Sequence, residues 1–250
     1  MTHHVTTPQR LRSSLRAGRI PNIPRGLAFR ARRTIARTRT RLHDRAEAPL
    51  LRARLPWLDG LDLARYRREL EPMYRDYLGV SSEEMAISLQ TAAFLAALCE
   101  HLTPDSIIDL GSGFSSAVVR RFAATCAGDV PVVSVDDSPE WLEATARFLR
   151  AHQLPDNDLV TWAEVLASPP TPAQLVVHDL GPMALRAQAL GDVSRLTAPG
   201  GITVFDDMHH YGDLVRARAP ELGYEAVLSA RTYTLDLLTR YAAIGFRGRT

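Results

Sequence analysis

The sequence predicts an α/β protein: a doubly wound, seven-stranded sheet, mainly parallel with an antiparallel C-terminal strand, preceded by an N-terminal helical extension. Three observations carry this. From about residue 103 onward, short apolar runs rich in Val, Ile and Leu alternate with stretches of helical period, as in a parallel sheet covered on both faces. The first of these runs passes through a two-glycine turn straight into a helical pattern. Two late apolar runs, near residues 225–228 and 241–244, have the spacing of a closing antiparallel hairpin.

At 250 residues the chain suits one α/β domain with an extension and can bury a full core. No apolar run is as long as a membrane span, and no signal peptide with an apolar core is found. Cys99 and Cys126 both fall in helical patterns and read as buried thiols of a reduced, cytoplasmic compartment. The net charge of +2 hides an asymmetry. Residues 1–54 hold 14 arginines against Asp44 and Glu47, whereas residues 55–250 are acidic. All 30 basic residues are Arg, as a GC-rich coding bias produces, so their number alone does not signify nucleic-acid binding.

Three regions follow: an Arg-rich arm over residues 1–54, a helical cap over 55–102, and the sheet domain over 103–250. In the arm, Pro8, Pro21, Pro24 and Pro49 interrupt the chain, and only residues 27–45 suit a short basic helix. It reads as a solvated arm, or as a tail attracted to RNA, an acidic protein or a membrane surface. Phe29 stands alone, without the aromatic interleaving of base stacking. A transit peptide would share the composition. In the cap, Leu61, Leu63, Tyr66, Leu70, Met73, Tyr74 and Tyr77 recur at helical spacing, with Pro72 expected to divide the segment. A long apolar helix is expected from Ser82-Glu83-Glu84 through Ala92, Phe94, Leu95, Leu98 and Leu102.

The turn is the centre of the domain. Ile107, Ile108 and Leu110 lead into Gly111-Ser112-Gly113, and Ala117, Val118, Val119, Phe122 and Ala123 continue as a helix. Glycine supplies positive φ and close backbone approach to a ligand, and the helix behind it presents free N–H groups. A dinucleotide fingerprint would place its third glycine where Ser116 stands. The pattern Asp109-x-Gly111-x-Gly113 instead resembles motif I of class I S-adenosylmethionine-dependent methyltransferases, with Ser115 where many members have a further glycine. The Pro199-Gly200-Gly201 turn before an apolar strand and the closing hairpin extend the resemblance over about residues 80–246. It implies a Rossmann-like domain holding S-adenosylmethionine against Asp109, Gly111, Ser112, Gly113 and Ser115. It also implies a pocket covered by the preceding helices; residues 88–91 are a candidate cofactor or substrate contact there, or ordinary helix surface.

The remaining strands each end in polar residues. The run at 130–135 ends in Asp136-Asp137, with Ser138 as cap and Pro139 as first residue of the next helix. A carboxylate there lies beside the glycine turn and can accept both ribose hydroxyls. Asp136 directly ends the apolar run and is the residue chosen; Asp137 could cap the helix. Residues 159–162 form the third strand, and the resemblance places Trp162 and Glu164 near the adenine. Residues 168–172 make a proline-rich surface loop. The fourth strand, 174–179, ends in His178-Asp179, and Ala184, Leu185, Ala189 and Leu196 form the stripe of the next helix. The fifth strand ends in Asp206-Asp207-Met208-His209-His210, before a helix near 213–222.

Four polar clusters thus converge at the strand ends, where open α/β sheets bind ligands. Burying them for stability alone is costly. Asp179, Asp206 and Asp207 resemble the metal ligands of catechol O-methyltransferase-like enzymes, and macrocin-type enzymes share the acidic pair. Three carboxylates and waters suit octahedral Mg²⁺ or another divalent metal. The lysine base of the catechol enzymes is absent, Pro182 standing in its place, so His209 or His210 would supply the base beside Asp179. A metal-free site with His209 as base, or capping by Asp206-Asp207, are the alternatives, and His178 could be a core residue.

The expected function is methylation, at oxygen, of a small molecule of secondary metabolism, with homodimerisation left open. An NAD-dependent oxidoreductase and a cofactor-free scaffold are rivals. A nucleic-acid methyltransferase is another, disfavoured because His178-Asp179-Leu180-Gly181 is unlike the N/D-P-P-Y/F motif of base-amine enzymes.

Overall fold

The computed structural model describes residues 46–126 and 129–249. The arm up to residue 45, including its expected helix at 27–45, lies outside them; residues 46–54 are helical. The apolar runs become β1 (Ile107–Leu110), β2 (Val132–Asp136), β3 (Leu159–Thr161), β4 (Ala173–His178), β5 (Thr197–Phe205), β6 (Tyr224–Ser229) and β7 (Ala243–Arg247). They form one seven-stranded sheet in the order β3-β2-β1-β4-β5-β7-β6. The pairs among β1 to β5 are parallel, and β7 runs antiparallel to both β5 and β6. The winding direction reverses between β1 and β4, which creates a crevice at their carboxyl ends.

Strand alternation sorts the core into two layers. Ile107, Leu175, Val177 and Val204 face one layer with Leu70, Phe94, Phe114 and Phe148. These come from α1 (Leu63–Tyr77), α2 (Leu89–Leu102), α3 (Phe114–Thr125) and α4 (Pro139–Ala151). Ile108, Leu110, Val176 and Phe205 face the other layer with Trp162, Leu190, Val193 and Met208. Its helices are α5 (Trp162–Ala167), α6 (Met183–Gln188), α7 (Leu190–Leu196) and α8 (Met208–Arg218); α9 (Arg231–Thr234) precedes the last strand. Among the described residues no helix is long and apolar enough to cross a membrane.

Several local expectations are corrected. Pro72 does not divide the first helix but lies inside α1, where buried Leu70, Met73, Tyr74 and Tyr77 hold the stripe together. Packing of that face outweighs the missing backbone bond. The expected long helix begins only at Leu89, after turns over 82–87. Its cap is Ser88, whose Oγ accepts from the Thr91 N–H at 3.1 Å. Ser88→Ala is expected to cost about 1 kcal/mol, read by urea unfolding, because that N–H loses its acceptor.

Trp162 is not in the third strand. Thr161 ends it as the cap of α5, and the Glu164 carboxylate closes a reciprocal capping box on the Thr161 N–H at 2.7 Å. The helix expected near 213–222 is α8, which starts at Met208, so His209 and His210 occupy its first turn.

Candidate functional site

At the end of β1 the chain turns through Gly111 at φ +100°. A Cβ there would lie 2.3 Å from the Asp179 carbonyl oxygen, so the glycine permits the contact between the ends of β1 and β4. Asp109 is wholly buried and accepts from Ser115 Oγ at 3.1 Å and Ser116 Oγ at 2.5 Å. Ser116 Oγ also accepts from the Gly113 N–H at 3.1 Å. The residue that spoils the dinucleotide fingerprint therefore braces the turn. Burial pushes the Asp109 carboxyl up to about 7 against the pull of these hydroxyls.

Asp136 stands beside this turn at the end of β2. Its Oδ2 accepts from the Ser112 N–H at 2.9 Å and Ser112 Oγ at 3.3 Å, and its Oδ1 from the Ser138 N–H at 3.1 Å. Burial raises it to about 6, opposed by the Ser138 and Ser112 donors. Asp137 is exposed, and Ser138 caps α4 through the Trp141 N–H. The Trp141 Nε1–H donates to the Ser112 carbonyl at 2.6 Å. Tyr77, Trp141, Ala86 and Ile87 close over Gly113 and Asp179, leaving a cavity of about 20 Å³. A nucleoside needs a far larger space than this, and residues 85–87 form part of the cover. That segment is held by Arg240 Nη1, which donates to the carbonyls of Glu84 and Ala86 at 3.0 Å each.

The second half of the site lies at the ends of β4 and β5. Asp179, Asp206 and Asp207 each bring a carboxylate oxygen within 4.8 Å of the others. Asp207 adopts φ +53°, a left-handed conformation that Asp and Asn tolerate better than most residues. Arg186 of α6, its side chain 7% exposed, spans two of the three. Its Nη2 lies 2.5 Å from Asp179 Oδ1, and its Nη1 donates to Asp207 Oδ2 at 3.0 Å. Nη2 also donates to the Asp179 carbonyl at 3.0 Å. Burial pushes Asp179 well above the ordinary carboxylate range, with Arg186 opposing, and raises Asp206 to about 6. The three carboxylates have the expected convergence. Oδ1 of each is buried without a hydrogen-bond partner, as a cation site requires, while the Arg186 charge already pairs with two of the three carboxylates.

Around the cluster, His178 is buried with Nε2 3.0 Å from the Arg186 carbonyl oxygen and the rings of Phe205 and Tyr211 edge-on to it. Burial lowers it to about 3, so it is a neutral core histidine. His209 Nδ1 lies 3.7 Å from Asp207 Oδ1, and its ring is 3.8 Å from that of His210, centroid to centroid. Desolvation lowers His209, which keeps its imidazole neutral near pH 7.

Gly111, Ser112, Gly113, Ser115 and Asp179 thus line one cavity, Asp109 and Asp136 hydrogen-bond to its turn, Asp206 and Asp207 gather with Asp179, and His209, with His210 against it, stands beside Asp207. Trp162 packs into the core and Glu164 serves as a cap, so neither side chain is directed to the crevice by its contacts. Sequence reasoning missed Tyr77, Trp141, Arg186 and Arg240. For Arg186 there was a signal: three acids ending neighbouring strands require a buried counter-charge, and the helix between them carries this arginine.

No family model and no curated protein sequence matches the chain. Solved structures do. An O-methyltransferase from Bacillus cereus in complex with SAH is 14% identical at TM-score 0.55, over 70% of this chain and 88% of that one. Cofactor-bound Rv0187 from MTB is 19% identical at 0.56, over 72% and 91%. The O-methyltransferase TomG from Streptomyces achromogenes, in complex with SAM, is 14% identical at 0.54, over 73% and 89%. The fold is that of the class I S-adenosylmethionine-dependent methyltransferases, as the sequence resemblance implies.

Proposed function

We propose that the chain transfers a methyl group from S-adenosylmethionine to an oxygen of a small molecule. The observation that carries this is the buried Asp109–Gly111–Gly113 turn at the β1/β4 switch point, with Asp136 beside it at the end of β2. The shared fold with O-methyltransferases supports it. TomG is described as involved in tomaymycin synthesis, and an acceptor of the same broad kind, a secondary metabolite, suits this reading.

Asp136 holds the ribose. A carboxylate accepts at about four positions. Three are used here, so gripping both hydroxyls displaces the long Ser112 Oγ contact. Asp109, Asp179, Asp206 and Asp207 crowd acidic groups around the site, and a sulfonium cation would favour their ionised forms, which burial alone disfavours. The acceptor oxygen attacks the methyl carbon in line as the carbon–sulfur bond breaks, and the electron pair stays on sulfur. The acceptor's proton passes to Nε2 of neutral His209, whose Nδ1 faces Asp207. Alignment of the two reactants supplies much of the rate. The divalent-metal version, with Asp179, Asp206 and Asp207 as ligands, would set the ion against the Arg186 guanidinium that pairs with two of them. A nucleic-acid acceptor rests on the arm, outside the described residues.

S-adenosylhomocysteine should raise the melting temperature and NADH should not; the reverse would favour an oxidoreductase. Asp136→Asn should weaken S-adenosylhomocysteine binding about 10- to 100-fold, the loss of charge-assisted bonds of about 1.5–3 kcal/mol. Because burial raises Asp136 to about 6, its acceptor strength is complete above that pH and is lost as pH falls through it. Calorimetry from pH 5 to 8 should show the wild-type affinity declining at the acid end more steeply than that of the variant.

A further inference from the structure

We infer that Arg186 is a built-in cation for the acidic cluster, its guanidinium taking the place between Asp179 and Asp207 that a divalent ion would need. The inference is independent of the methyl-transfer reading, because it concerns only what neutralises three carboxylates. Both ends of the fork are engaged: Nη2 with Asp179 Oδ1 and Nη1 with Asp207 Oδ2. Further bonds from Nη2 to the carbonyls of Asp179 and Gly181 fix the plane of the guanidinium. The His178 Nε2–H donates to the Arg186 carbonyl, tying the arginine's own backbone to β4.

This placement is sterically enclosed. The Arg186 side chain is only 7% exposed, so it cannot swing into solvent as a surface arginine would. A divalent ion in the cluster needs carboxylate oxygens at about 2.0–2.6 Å; Oδ1 of Asp179, Asp206 and Asp207 accept no hydrogen bond, but the guanidinium charge already stands at ion-pair distance from Asp179 Oδ1 and Asp207 Oδ2. Ion and guanidinium, like charges set against the same carboxylates, therefore compete. Arg186 also lines up Asp207 beside His209, so the same contact positions the acid that faces the imidazole.

The test uses Mn²⁺ alone as probe, with the free-ion electron paramagnetic resonance signal of the full chain as readout. The wild-type protein should leave that signal undiminished at about millimolar Mn²⁺. Arg186→Gln, confirmed folded by circular dichroism, should bind one Mn²⁺ at least about tenfold more tightly than wild type, and Asp206→Asn in that background should abolish the binding. Arg186→Lys, which restores a single positive charge, should again exclude the ion. Stoichiometric Mn²⁺ binding by the wild type that is lost in Asp206→Asn would overturn the inference. So would a folded Arg186→Gln variant that binds no better than wild type. Should Arg186→Gln fail to fold, the wild-type and Arg186→Lys titrations still decide: exclusion in both supports the inference, and binding in either overturns it.

Discussion

Gly111→Ala is expected to be among the most damaging single substitutions in this chain. The added methyl would lie 2.3 Å from the Asp179 carbonyl oxygen, 2.5 Å from its carbon and 2.9 Å from the Leu180 nitrogen. All three are backbone atoms at the junction of adjacent parallel strands, so no side chain can rotate away to make room. The position also holds φ at +100°, where any residue with a Cβ is strained. The backbone term is about 1–3 kcal/mol and the overpacking term of similar size, together about 2–6 kcal/mol. For a chain of this length that lowers Tm by roughly 10 °C. Urea unfolding followed by circular dichroism reads the effect. A loss below about 1 kcal/mol would mean that β1 and β4 can separate at the turn without cost.

Arg186→Ala should be comparably severe for an electrostatic reason. It leaves Asp179 and Asp207 without their shared partner, and uncompensated buried charge costs about 3–5 kcal/mol. The pH dependence has a definite sign. Asp206 has a folded pKa of about 6, above the ordinary carboxylate value, and Asp179 is raised as well. Carboxyls with raised folded values favour the native state at low pH, where they are neutral, and lose that contribution as pH rises through the folded value. Without the guanidinium this penalty grows. The stability deficit of the variant should therefore be larger at pH 8 than at pH 5, by denaturant titration at both. A deficit independent of pH would show that Arg186 acts by packing alone.

The sheet was legible because its signal is redundant. Each parallel strand is a short, nearly continuous apolar run, and each ends in a polar cluster, so an error at one boundary does not disturb the order. The Asp109 turn was legible because its acid and glycines are neighbours in sequence, and Asp136 because it closes the apolar run of β2.

Features that depend on partners distant in sequence were not legible. Pro72 reads locally as a breaker, yet the buried face of α1 carries it. Trp162 extends an apolar run, yet the Thr161–Glu164 capping box turns the chain into a helix one residue earlier. Arg186 is one arginine among 30, and only the folded chain places it against Asp179 and Asp207. Tyr77 and Trp141 sit 64 residues apart along the chain and meet over Gly113.

The decisive measurement is isothermal titration calorimetry of the folded chain with S-adenosylhomocysteine. One equivalent should bind with measurable heat, and Asp136→Asn, folded as judged by circular dichroism, should bind more weakly. No heat from well-folded wild-type protein across a range of temperatures would contradict the assignment of the Gly111–Gly113 turn as a nucleoside cofactor site.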